Sequence, residues 1–194
     1  MEADWEIESG GGAPVIDAHW AGFVDLHTQP QRVAEIAEAM AFPPLARLLL
    51  SLNQPSSPWW TAKCDLWEEP AEETSSSCGE LGSPVQEGSA KIEGDIFLTQ
   101  ACYIDLLPMQ GYVFARWQDG EEFCRRWCRE LEEISLPHAR LDLVVRMALA
   151  GAAEGFGVTA YLSATGKDRA SGRATLERLM TLVGESAARG FPVS

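Results

Sequence analysis

Six side chains that could transfer protons fall in three pairs, each pair spaced two residues apart. The pairs are Asp17 with His19, Lys63 with Asp65, and Tyr103 with Asp105. Carboxylate, imidazole, ammonium and phenol groups serve as general acids and bases, and neighbouring carboxylates push their pKa values apart. If the three stretches lie side by side in a sheet, these residues could form a catalytic acid–base cluster. Asp and His at alternate strand positions also arise by chance, so the pairs alone do not predict an enzyme.

The same residue types could instead bind a divalent metal ion through carboxylate oxygen and imidazole nitrogen. No ligand spacing such as H-E-x-x-H supports that alternative. Cys124 and Cys128 stand one helical turn apart, but a zinc site needs four ligands and no second Cys or His pair accompanies them. Packing of these two thiols in the core is the simpler interpretation. The sequence therefore predicts neither a metal nor a cofactor.

Alternation of apolar and polar residues predicts the strands that would position the ionisable pairs. It runs through residues 15–26, 57–69, 95–108 and 156–166. Apolar spacings of three to four residues predict helices over 31–40, 45–52, 119–134, 139–153 and 170–189. The resulting order, β-α-β-β-α-β-α, is that of the ferredoxin-like split βαβ fold.

We therefore expect an α+β fold with a four-stranded antiparallel sheet, helices on one face and an extra C-terminal helix. A different α+β sheet with helices on one side is the alternative. Residues 1–12, acidic and ending in three glycines, are predicted to form a flexible tail, and residues 13–194 a single domain. Within that domain, residues 68–90 are rich in Ser, Glu, Gly and Pro and are predicted to be a mobile insertion.

Helices on one face of the sheet would leave alternate strand residues uncovered on the other. Six aromatic residues fall in this set: Phe23, Trp59, Trp67, Phe97, Tyr103 and Tyr161. Surfaces that mix aromatic rings with charges are typical of interfaces. We expect this face to cover a protein partner, a twin subunit or a small ligand, unless the insertion itself folds back onto it.

Charge and composition exclude several classes of partner. The chain has 194 residues and a net charge of −14 at pH 7, and its pI is about 4.5. This charge opposes binding to nucleic-acid backbones and to anionic membrane surfaces. Five cysteines, an odd number, and an N-terminus without a signal-peptide pattern favour a reduced, cytoplasmic setting.

The function that these patterns favour is a non-catalytic binding or accessory protein whose aromatic and acidic sheet face binds a protein partner or a twin subunit. One alternative is a small enzyme that uses the three ionisable pairs as an acid–base cluster. Another is a sensor of a small ligand or a divalent metal. A broad, shallow face would favour binding, whereas an enclosed cavity with the ionisable groups within hydrogen-bonding reach would favour catalysis.

Overall fold

The strands form one mixed sheet, and the longer helices pack on one side of it. A computed structural model describes residues 1–70 and 98–187. The elements within these ranges are β1 (Glu2–Glu8), β2 (Ile16–Asp17), a 3-10 helix (Pro30–Glu35), α1 (Ala37–Ala41), α2 (Pro43–Leu52), β3 (Trp59–Pro70), β4 (Leu98–Pro108), α3 (Trp117–Glu132), β5 (Ala139–Ala150), β6 (Ala153–Gly166) and α4 (Arg169–Ala187). The strand order is β1-β5-β6-β4-β3, and the short β2 continues along the same edge of β5 as β1.

The α+β class predicted from the sequence is confirmed, but the ferredoxin-like sheet is wrong. β1 and β2 run parallel to β5, whereas the pairs β5/β6, β6/β4 and β4/β3 are antiparallel. The described sheet therefore has six strands and is mixed rather than four-stranded and antiparallel. The difference arises because one predicted helix and part of the predicted tail are strands.

β1 replaces the flexible tail that the sequence predicts over residues 1–12. Ala3, Trp5 and Ile7 are partly buried and pack against the core, while the acidic residues between them face away. The Arg125 guanidinium of α3 lies 5.0 Å from the centroid of the Trp5 ring, a distance that allows a cation–π contact. The many acidic residues suggest a flexible tail when only the composition is considered. They all lie on one side of the strand, and apolar residues lie on the other.

β5 occupies the stretch that the sequence predicts as a helix over residues 139–153. Leu141, Leu143 and Val145 are fully buried on the helix-covered side, and Val144 is buried on the other. A strand with apolar residues on both faces also fits a helical period, so periodicity alone cannot separate the two structures. The two-residue turn after β5 distinguishes them, because Gly151 adopts a φ of +64° there, which glycine adopts without strain.

The first predicted strand, residues 15–26, is strand only at Ile16–Asp17. Beyond it the chain turns, and side chains hold the turns. The Asp17 carboxylate accepts a hydrogen bond from the His19 backbone N–H at 3.0 Å, and the Asp25 carboxylate accepts others from His27 and Thr28. Asp side chains that bind nearby backbone groups favour turns over strands.

The remaining elements lie where the sequence predicts them. The strand predictions over 57–69, 95–108 and 156–166 correspond to β3, β4 and β6, and α2, α3 and α4 match their predicted helices within a few residues. The helix predicted over 31–40 is divided into the 3-10 helix and α1. Of the predicted insertion at 68–90, residues 68–70 belong to β3 and the rest lies outside the described residues.

The main core lies between the sheet and helices α2, α3 and α4. Trp59 of β3 is buried in this core, with its ring centroid 4.4 Å from that of Phe123, and the Phe123 ring centroid lies 4.8 Å from that of Trp127. Burial of a large apolar side chain contributes about 1.5–3 kcal/mol. The helices therefore cover one face of the sheet firmly and leave the other available.

Candidate functional site

The open face is the side of the sheet opposite α2, α3 and α4. Paired residues of adjacent strands form rows across it. One row runs from Asp65 through Tyr103 and Tyr161 to Asp142. The next runs from Trp67 through Ala101 and Ser163 to Arg140. The strands β3, β4, β6 and β5 thus bring side chains that are distant in the sequence onto one surface.

Three aromatic rings on this face, Trp67, Tyr103 and Tyr161, form what we call the aromatic row. The Trp67 and Tyr103 ring centroids are 6.4 Å apart, and those of Tyr103 and Tyr161 are 5.9 Å apart. Arg146 closes the row, because its guanidinium lies 5.4 Å from the Tyr161 centroid and donates a 2.8 Å hydrogen bond to the Tyr161 hydroxyl. Arg146 is also paired with Glu8 of β1 at 2.7 Å. These contacts hold the rings in defined positions.

Asp105 and Lys63 add buried and exposed charge beside the row. The Thr159 hydroxyl donates a 2.7 Å hydrogen bond to the Asp105 carboxylate, and burial raises the pKa of Asp105. The Lys63 ammonium lies 6.0 Å from the Tyr103 centroid. A hydrogen bond with Tyr103, followed by the nearby carboxylates of Asp105 and Asp65, raises the pKa of Lys63. Burial in turn raises the pKa of Tyr103.

A slot of about 370 Å³ runs over the open face next to the aromatic row. Its floor is formed by the small residues Ala101 and Ser163, which are cross-strand partners. Trp67 and Glu69 of β3 form one wall, and the other wall includes Glu6 of β1 and Asp142 of β5. The slot exists because the two central strands carry small side chains where the outer strands carry large ones.

The loop between β2 and the 3-10 helix covers one end of the open face. Ile16, Ala18, Trp60 and Leu107 belong to a small apolar cluster there, and Phe23 packs against it. The Trp20 indole N–H donates a 3.0 Å hydrogen bond to the Ala62 carbonyl, which ties this loop to β3. This loop leaves the slot uncovered within the described residues, and the predicted insertion, which could also fold back onto the face, lies outside them beyond Pro70.

The predicted site residues separate into two groups. Five lie together on the open face, with Asp105 buried beneath them: Lys63, Asp65, Trp67, Tyr103 and Tyr161. Asp17 points away from that side, because its neighbour Ile16 faces the small cluster and successive strand residues alternate. His19 and Phe23 make an edge-to-face contact in the covering loop, with their ring centroids 5.3 Å apart. Phe97 lies outside the described residues.

Trp59 is the aromatic residue that the prediction places on the wrong face. It is 1% exposed and packs in the main core, while Trp60 faces the other side. A β-bulge between Thr61 and Cys64 shifts the register of β3. An inserted residue reverses the sides of all residues on one side of the bulge relative to the other, so strict alternation from Lys63 back to Trp59 fails.

Sequence reasoning missed Arg146, Asp142 and Glu6, which complete the face. Arg146 and Asp142 belong to β5, which the sequence predicts as a helix, and Glu6 belongs to β1, which it predicts as a tail. The alternation of Ala3, Trp5 and Ile7 and the glycine at the end of β5 are the signals that could have found these strands.

No known protein family, curated protein or solved structure matches the chain. In the part of the chain that the structure describes, no three potential metal ligands cluster, and no helix is long and apolar enough to cross a membrane. The described residues form a mixed sheet that helices cover on one side and that presents an aromatic, acidic surface on the other.

Proposed function

We propose that this is a binding or accessory protein that holds a protein partner on the open face. The observation that carries the proposal is the aromatic row, fixed at one end by Arg146 and left uncovered by the helices. Tyr, Trp and Arg dominate the binding energy of protein interfaces, because large, rigid side chains bury much area at a low cost in conformational entropy. A partner that covers the row would bury these rings.

Acid–base catalysis is the less favoured alternative. Asp17 points away from Lys63 and Tyr103, and His19 lies in the covering loop with its ring against Phe23. Lys63 and Asp65 line a cavity of about 350 Å³ between β3 and the covering loop, but Tyr103 and Asp105 are not among its lining residues. General acids and bases need a site that positions a substrate within hydrogen-bonding reach of them, and the groups that remain together are not gathered around one cavity.

Site-specific photocrosslinking in cells that make the protein tests the proposal. A photoreactive benzoylphenylalanine replaces Trp67 or Tyr161 on the open face, and Arg178, exposed on α4, serves as the control position. We expect a discrete adduct with a partner from positions 67 and 161 and none from position 178. Equal adducts from all three positions, or none from the open face, would contradict the proposal.

The substitution Tyr103→Ala should weaken binding of the partner in the same photocrosslinking experiment. Removing an aromatic residue from the centre of an interface typically costs at least about 2 kcal/mol, so the adduct formed from position 67 should fall at least about tenfold. Trp117→Ala is the matched control, because Trp117 is an exposed aromatic residue at the start of α3. The adduct should be unchanged by that substitution.

A further inference from the structure

We propose that the slot beside the aromatic row accepts an arginine side chain of the partner. This inference rests on the proposed function and names the chemistry of the partner segment. The geometry that supports it is a floor of small residues, Ala101 and Ser163, bounded on one side by the Trp67 ring. A long, flat side chain can lie along such a floor with its head group against the walls.

The charges of the slot favour a cation. Asp142 is already bound by Arg140 through two hydrogen bonds of 2.6 and 2.7 Å, and Arg146 is paired with Glu8. Glu6 and Glu69 are exposed and have no hydrogen-bond or ion-pair partner within residues 1–70 and 98–187. Among the described residues, the charges of the slot that have no opposite partner are therefore carboxylates on opposite walls.

The surroundings have the same sign. Acidic side chains outnumber basic ones among the open-face residues, and the acidic set is Glu2, Asp4, Glu6, Glu8, Asp65, Glu69, Asp105 and Asp142. The basic set is Lys63, Arg140 and Arg146. Complementary potential steers a basic partner to the face and opposes an acidic one. A second copy of this chain would present the same acidic surface and is disfavoured for that reason.

The rings favour a guanidinium over an ammonium group. Arg146 already lies over Tyr161, and Lys63 lies over Tyr103. Trp67 carries no cation among the described side chains, although tryptophan is the strongest cation–π partner. A planar guanidinium can stack on Trp67 and donate from its edge to Glu69, which lies two residues further along the same face of β3. An ammonium cannot do both with the same geometry.

A peptide titration of the full chain tests the inference. The probes are three nine-residue peptides of glycine and serine that carry arginine, lysine or glutamine at three alternate positions. Binding is followed by NMR through the backbone amides of Ala101 and Ser163, which form the floor of the slot. We expect the arginine peptide to shift these amides with a Kd at least about tenfold lower than that of the glutamine peptide, with the lysine peptide between them.

The double variant Glu6→Gln/Glu69→Gln should weaken the arginine peptide about five- to tenfold. The matched control Glu122→Gln/Glu132→Gln removes the same charge from exposed positions of α3 and should leave the affinity within about twofold. An arginine peptide that binds no tighter than the glutamine peptide, or is indifferent to Glu6→Gln/Glu69→Gln, overturns the inference. A lysine peptide that binds as tightly as arginine overturns the assignment to a guanidinium.

The photocrosslink separates failure of this inference from failure of the proposed function. If the adduct from position 161, where Trp67 is retained, forms and persists unchanged in Glu6→Gln/Glu69→Gln, a partner binds the open face without the predicted arginine contact. The inference then fails and the binding function stands. If no adduct forms from the open face, the binding function itself fails.

Discussion

Asp105 is a carboxyl group that the fold removes from water, since only 8% of its surface is exposed. Burial raises its pKa, although the Thr159 hydroxyl and the charges of Arg146 and Lys63 oppose this effect. A carboxyl group whose pKa is higher in the folded than in the unfolded chain binds its proton more tightly when folded. Its contribution to stability is complete below the usual value of 3.8 and is lost as the pH rises through the folded value.

Replacing Asp105 with asparagine should therefore stabilise the protein at neutral pH. The amide keeps an oxygen that can accept the Thr159 hydrogen bond, and it carries no charge to desolvate. We expect the free energy of unfolding, measured in urea, to be higher for Asp105→Asn than for the wild type at pH 7. The difference should shrink as the pH falls below the usual value of 3.8, where the carboxyl group becomes protonated in both the folded and the unfolded state.

Asp65→Asn is the matched control for this experiment, because Asp65 is an exposed carboxylate on the same face. Its substitution should change the free energy of unfolding little at either pH, as is usual for surface positions. A destabilised Asp105→Asn at pH 7 would show that the attraction of the buried carboxylate to the charges of Arg146 and Lys63 outweighs its desolvation.

Residues 2–8 are either a strand paired with β5 or, as their acidic composition predicts, a flexible tail, and hydrogen exchange can distinguish the two. The residues of β1 pair with β5 over Glu2–Glu8 in parallel register, whereas Gly10, Gly11 and Gly12 are exposed. Hydrogen exchange followed by NMR should show alternate amides of β1 exchanging at least about a hundredfold more slowly than those of the three glycines, because ladder hydrogen bonds open only with the sheet. Equal exchange rates across residues 2–12 would contradict the pairing of β1 with β5 and support the flexible tail that the sequence predicts.

The elements that the sequence predicts well are those that carry one clear period. α3 places Phe123, Trp127 and Leu131 on a single buried stripe, and β6 alternates apolar Val158, Ala160 and Leu162 with polar Thr159 and Tyr161 on the opposite face. The strand β5 is predicted as a helix because it lies between β1 and β6 and carries buried residues on both faces. The strand β1 is not predicted because its partner β5 lies more than a hundred residues away in the sequence. The local sequence therefore contains no hairpin signal for this pair.

The candidate site inherits these successes and failures. Lys63, Asp65, Trp67, Tyr103 and Tyr161 meet on the open face because they alternate correctly on strands with one clear period. Trp59 is lost to a bulge, which depends on pairing with β4 rather than on the sequence of β3 alone. The second wall of the slot is not predicted, because the acidic composition of β1 and the helical period of β5 outweigh the weaker strand signals in these two stretches.

For the molecule as a whole, the distribution of charge decides which partners the open face can meet. The net charge of −14 is reinforced on this face by the carboxylates of β1, β3 and β5. At about 0.15 M salt the Debye length is about 8 Å, so only charges close to the contact matter. A face-to-face pair of identical subunits would bring carboxylates of both copies within that distance, and the aromatic rings would have to overcome this repulsion.

We therefore expect the isolated protein to be a monomer of about 21.2 kDa by light scattering at 0.15 M salt. Salt near 1 M shortens the Debye length to about 3 Å, so any weak self-association through the aromatic row should grow with salt and disappear in Tyr103→Ala. A stable dimer at low salt that Tyr103→Ala dissociates would instead identify the partner on the open face as a second subunit. A dimer that Tyr103→Ala leaves intact would lie elsewhere on the molecule and would leave the open face free for a basic partner.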